Sequence, residues 1–311
     1  MDVAIQVIDK KTLSPLSDLQ DYTPLPEIEE FLRNHKRNFE PIRDLIICYV
    51  MIFSAWLAAF SQGVWWVYCI ACLTVTSALV GFIALAHESF HDNLSSKKTN
   101  DFIAWAFVAL PLLMNYDLEK QVHLNHHKYI GTEKDPTLDS YNCSVKQLWI
   151  DLFLRLIIIG SIIWVVRKRT SRKLQGLTNK FSLGWNLLMI LEQFAIFCLF
   201  MKLAPWAYLW CWVFPLILTS IFSSIREFGE HKSFDSSNLV CIATTHTNIF
   251  ERLLISQFNF THHAAHHLFP KVPYKDLHPF TLLLDKCGWP QIQIPILVRH
   301  SYLANLLRLD D

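Results

Sequence analysis

Leu45 to Ala86 runs for 42 residues without one charged side chain. Few environments tolerate such a stretch, and it is long enough for two helices of roughly 20 residues each across a bilayer core. Ser61-Gln62-Gly63 marks a turn near its middle. A second block, Leu183 to Ile225, is broken only by Glu192 and Lys202 and turns near Ala204-Pro205. The chain is 52% hydrophobic, more than ordinary water-soluble domains carry. The expected architecture is an all-α integral membrane protein: four transmembrane helices as two hairpins, 45–86 and 183–225.

Between and beyond the hairpins the chain is polar enough to sit in water. Arg167 to Lys180 holds six basic residues and no acid, so the positive-inside rule puts this loop and both chain ends in the cytoplasm. Residues 1–42 are read as a cytoplasmic segment, 87–182 as a cytoplasmic and interfacial region, and 226–311 as a second cytoplasmic region, all in one domain. Two further apolar stretches, Ile103 to Asn115 and Leu148 to Val166, are expected to lie against or dip into the membrane. The first is about half a span long, and the second carries Asp151 and Arg155 one turn apart. Thr23-Pro24-Leu25-Pro26-Glu27 reads as a helix start. Ile28, Phe31 and Leu32 follow on one face, suited to a membrane surface or to a solvated linker. MDVAIQVIDKK lacks a basic start before an apolar run, so no cleaved signal peptide is expected. The eight cysteines show no pairing pattern, and Cys69 and Cys72 read as small apolar residues within a span. A net charge of +1 argues against a nucleic-acid partner.

Nine of the 14 histidines fall in three short boxes. His87 and His91 are spaced i, i+4; His123, His126 and His127 are spaced i, i+3, i+4; His263, His266 and His267 repeat the second pattern. On a helix these spacings share one face, so each box aims two or three imidazoles at a point. By span count all three boxes emerge on one side of the membrane, forming a cytoplasmic helical cap. Eight converging imidazoles exceed what one tetrahedral zinc takes; they suit two ions of higher coordination number, and imidazole is compatible with iron. His87-Glu88-Ser89-Phe90-His91 also satisfies H-E-x-x-H, the zinc protease pattern, which would leave the other boxes without a role.

The ordered set HESFH, HLNHH and HHAAHHLFP resembles the membrane-bound fatty acid desaturase superfamily. The similarity extends from His87 to Tyr274 and includes Asp135-Pro136 after the second box and Val272-Pro273 after the third. The resemblance implies a non-haem di-iron centre with O2 as co-substrate, and nine ligands: His87, His91, His123, His126, His127, His231, His263, His266 and His267. His231, in REFGEHK, is the candidate for the extra histidine that family members carry after the last span. The activity implied is oxidation of unactivated C–H bonds in a lipid-like substrate drawn from the membrane. A fatty acyl desaturase comes first; a lipid or carotenoid hydroxylase or ketolase, or more remotely an intramembrane zinc protease, is the alternative. Electrons would come from a separate ferredoxin-type or cytochrome-type donor.

Glu88, Asp92, Asp135 and Glu227 are the acids expected to support the ligands, with Asp139 and Glu230 also in range and Arg226 one turn before Glu230. Ala265 departs from the family pattern, in which many members have glutamate directly before the final His-His pair. His262 is expected to point off the shared face, His246 to take a substrate-side or structural role, and His35, His278 and His300 to be surface groups. Glu192 stands inside the third expected span, where a carboxyl group is unusual.

Overall fold

The computed structural model of the chain describes residues 23–34, 40–96, 99–157, 183–235 and 238–307. The basic loop 167–180, His35 and the amino-terminal 22 residues lie outside the described residues.

The central element is α3, Trp65–Phe90, whose last 16 residues are buried except for Ile83. Its residues there are small or apolar (Ala78, Leu79, Gly81, Phe82, Ala84, Ala86) and let neighbours approach from all sides. α2, Glu40–Gln62, packs antiparallel to it after a turn at Gly63, where φ is +62°; glycine takes that conformation at least cost. The third wall is α9, Pro205–His231. Pro215 has no N–H to give to the carbonyl of Cys211, and the helix relaxes there into a π turn, Leu209–Val213. The Trp56 indole N–H donates to the freed Cys211 oxygen at 3.0 Å, so one defect ties α2 to α9. α2, α3 and α9 are each long and apolar enough to cross a membrane. α8, Leu183–Leu203, is a 21-residue helix, and Ala204 alone separates it from Pro205 at the start of α9, where the second turn is expected.

The flanking helices cover this bundle. α1, Pro26–Asn34, buries Ile28, and its Phe31 ring lies 5.0 Å from that of Phe280. Its apolar face packs on protein, which corrects the expectation of a lipid-facing or solvated segment. α4, Asn100–Ala104, continues as a π turn to Ala109, burying Trp105 and Val108 while Phe102 and Phe107 stay exposed. α5 is Tyr116–Tyr129, capped by the Asn115 side chain, which accepts from Leu118 N. α6 is Leu138–Tyr141, and α7, Val145–Leu156, follows. Arg155 of α7 is buried, pairs with Asp151, and donates to Ser220 O at 3.0 Å and Ser224 Oγ at 2.7 Å on α9. The segment 158–166 lies outside the described residues.

The all-α expectation needs one correction. Four short strands follow α9: β1, Lys232–Asp235, pairs antiparallel with β2, Asn238–Val240, and β3, Ile242–Thr245, pairs parallel with β4, Ile296–Arg299. Ile242, Thr244, Thr245, Ile296 and Val298 are β-branched, which favours this pleated conformation. Between β3 and β4 come α10, Ile249–Leu254, with an Asn248–Glu251 capping box, then α11, His263–Leu268, and α12, Tyr274–Cys287.

Candidate metal centre

Three elements end at one place. His87 and His91 close α3, the second box occupies the last two turns of α5, and the third box is α11 itself. His231 is the last residue of α9. The α11 helix is short and buried, and it is held at its C-terminal end. Asn93 Nδ2 donates to Pro270 O at 3.0 Å, and Lys271 Nζ to His91 O at 2.7 Å, tying the tail of box three to the end of box one.

The imidazoles fall into two groups. His87, His91, His123, His127 and His266 place one nitrogen each within 4.8 Å of one another. His126, His231 and His267 form a second group, and Glu230, His231 and His263 a third that shares His231. His127 and His267 link the two halves, with stacked rings 4.1 Å apart. All nine histidines expected as ligands are therefore together. His262 turns away, its Nε2 3.1 Å from Nδ1 of the exposed His278. His246 stacks on His300 at 5.9 Å, both exposed.

The outward-facing nitrogens show what the inward ones are for. His126 Nδ1–H donates to Asp135 at 3.0 Å, and His231 Nδ1–H to the Cys241 carbonyl at 3.3 Å; His263 Nδ1 lies 3.6 Å from Glu230 Oε2. The first two contacts put the proton on Nδ1 and leave a bare lone pair on Nε2, whereas His263 Nδ1 makes no hydrogen bond. Yet His126 directs Nε2 at His231 Nε2 from 3.2 Å, and His263 Nε2 lies 3.0 Å from the same atom. The facing lone pairs of His126 and His231 repel unless a cation lies beside them. An ion about 2.1 Å from each imidazole nitrogen sets adjacent ligand nitrogens about 3 Å apart, which matches. In the other group His91 and His123 meet through Nε2 at 2.7 Å, and His127 and His266 at 3.2 Å. Both ring nitrogens of His267 are buried without a hydrogen bond. The donor set thus fits two metal ions.

Electrostatics agree. Burial, reinforced by neighbouring histidines, pushes His123, His127, His263, His266 and His267 well below the ordinary imidazole range, and His91 down to about 3. Neutral imidazole is the ligating form. Burial raises Asp135, but His126 and the Tyr141 hydroxyl outweigh it and hold the carboxyl at about 2; it stays ionised against its histidine. Thr137 N and Oγ1 also donate to it, at 2.9 and 3.0 Å.

The other acids are placed differently. Asp92 faces Lys120 at 3.1 Å and Lys271 at 3.6 Å, outside the cluster. Glu88 is fully buried and accepts from Tyr274 N at 3.3 Å. It belongs to none of the histidine groups, so the catalytic glutamate of the zinc protease reading is turned away from the histidines it would serve. Glu227 is half-buried and also stands apart, whereas Glu230 reaches His263 and accepts from Tyr302 OH at 3.0 Å. Asp139 is exposed. Cys241, Thr137, Tyr141 and Tyr302 went unmarked by sequence reasoning; only Thr137, directly after Asp135-Pro136, had a nearby motif to point to it. Ala265 is fully buried in the core.

Comparison with known proteins agrees with this geometry. The dihydrorhizobitoxine desaturase of Bradyrhizobium elkanii is 24% identical over 253 residues, covering 74% of this chain and 71% of its own length. The family model for fatty acid desaturases matches residues 63–292, from the turn between α2 and α3 to just short of β4. On that match the chain belongs to the fatty acid desaturase family.

Proposed function

We propose that this protein is an O2-dependent di-iron desaturase of a hydrocarbon chain presented at the membrane, a fatty acyl chain in the first instance. The observation that carries the reading is the inward convergence of nine imidazoles, eight of them buried, with Nδ1 of His126 held by Asp135 and that of His231 by the Cys241 carbonyl. His87, His91, His123, His127 and His266 would hold one iron, and His126, His231, His263 and His267 the other. Bound there, iron supplies activation of dioxygen and removal of hydrogen from an unactivated C–H bond. Asp135 and the Cys241 carbonyl orient His126 and His231 and fix their tautomers, and Glu230 lies beside His263. Phe260, its ring centroid 4.6 Å from that of His87, and the apolar residues of α3 keep water from the reacting centre. Two electrons per turnover come from a separate ferredoxin-type or cytochrome-type donor on the cytoplasmic face. With α8 as a further span, the two hairpins bring α3 and α9 to that face together, and both chain ends with them.

Desaturation is favoured over hydroxylation because the similar Bradyrhizobium protein is named a desaturase. The test is expression in a host supplying ferredoxin-type reductants, with mass spectrometry of its lipids and small acids. Products lacking two hydrogens are expected, and are lost when His266 and His267 are replaced by alanine. Products gaining one oxygen would make it a hydroxylase, and iron-loaded protein yielding neither would overturn the reading.

A further inference from the structure

Arg226 is the one cation of α9 that lies beside the histidine cluster, five residues before His231. A rise of about 1.5 Å per residue puts its Cα about 7–8 Å from that of His231, on the side of the bundle. Its side chain is only 12% exposed, and its guanidinium carbon lies 5.9 Å from the centroid of Phe260, the ring that also packs on His87. A single phenyl ring therefore separates a permanent positive charge from His87 of the cluster. Among the described residues no hydrogen bond reaches this guanidinium, and its Nε is buried without one. The nearest carboxylate, Glu230, stands at 3.5 Å from Nε. It is already engaged, with one oxygen on Tyr302 OH and the other 3.6 Å from His263 Nδ1.

A mostly buried guanidinium whose one ion pair, to Glu230 at Nε, is shared with His263 is costly, and imidazoles offer it no charge. Adding two divalent cations makes the local charge more positive still. What the fork lacks is an anion that meets two of its nitrogens at once with two oxygens in a plane.

We propose that Arg226 binds the carboxylate of the substrate, and that the oxidised C–H bonds lie within a few carbon atoms of that carboxylate. This rests on the desaturase reading above and narrows it: the substrate class is a carboxylic acid held by its head close to the reacting centre. It is not an acyl chain reaching in from a distant, masked head group. Phe260 sets the spacing between the charge and His87, and the Glu230 contact orients the guanidinium.

The test uses detergent-purified full-length protein, both metal-free and loaded with ferrous iron, with equilibrium binding of octanoate and of methyl octanoate as probes of equal chain but different charge. Arg226→Gln and Arg226→Lys are compared with the parent. The parent is expected to bind octanoate at least about tenfold more tightly than the ester, the worth of one charge-assisted hydrogen bond. Arg226→Gln abolishes that preference, Arg226→Lys keeps part of it, and iron content is the same in all three. Equal binding of acid and ester by the parent, or a preference surviving in Arg226→Gln, overturns the proposal. Should that happen while the expression host still accumulates a desaturated product, the anchor fails and the desaturase reading stands. Failure to hold iron with the acid preference intact does the reverse.

Discussion

His126 and Asp135 illustrate how much of the site is decided by single atoms. The carboxylate, kept ionised, accepts the hydrogen bond from Nδ1–H, and Nε2 is left as the ligand. Replacing Asp135 by asparagine keeps the shape but removes the charge that fixes the tautomer. Iron retention against a chelator should fall about 10- to 100-fold, with little change in helix content; retention equal to the parent would show the carboxylate to be dispensable. Residue spacing made the eight box histidines legible, because i, i+3 and i+4 positions share a helical face whatever the fold. Their supporting contacts were not legible. Glu227 and Glu230 flank the same turn of α9, and only the packing of Tyr302 and α11 against one of them tells which carboxyl reaches His263. The Cys241 oxygen is backbone, and no side-chain pattern can announce it.

At the scale of elements, the approach of α2 to α3 is set by Gly81. A Cβ built there would meet Cys48 Sγ at 2.7 Å, Gln257 Oε1 at 2.8 Å and Phe258 Cε2 at 3.2 Å. Gln257 is itself pinned, its Nε2 donating to Ser77 O and Leu253 O at 2.8 Å, so it cannot swing aside freely. Gly81→Ala is expected to destabilise the protein by about 1–3 kcal/mol, read as a lower melting temperature in detergent; an unchanged melt would mean that the contact relaxes without cost. The long elements announced themselves through uncharged length, and both turns, at Gly63 and before Pro205, fell where the polar or proline residues stood. The strands did not, because segments of three or four residues leave no periodicity to read, and β3 and β4 pair across more than fifty positions. α1 misled for a related reason: an amphipathic face declares that it will be covered, not whether lipid or Phe280 will cover it.

Taken as a whole, the molecule is a bundle with a water-poor knot of neutral bases at one end, and this fixes how it responds to acid. An unfolded histidine takes up a proton near pH 6.5, whereas burial keeps His91, His123, His127, His263, His266 and His267 neutral to far lower pH. Between those two limits the unfolded chain binds more protons than the folded one, so stability rises with pH and is lost as pH falls. Each histidine contributes a slope of about 1.4 kcal/mol per pH unit below 6.5. Metal-free protein should consequently melt at progressively lower temperature from pH 7 to pH 5, and ferrous iron should raise the melt at pH 7 by mass action. A flat profile, or no shift with iron, would count against a buried neutral cluster.

The parallel pairing of Ile242–Thr245 with Ile296–Arg299 bears on biogenesis. Thr245 N donates to Thr261 O at 2.8 Å beside box three, and β4 closes the other edge of β3. During translation the first two boxes emerge long before the strand that braces the third exists. The cluster can therefore close fully only once residue 299 has been translated.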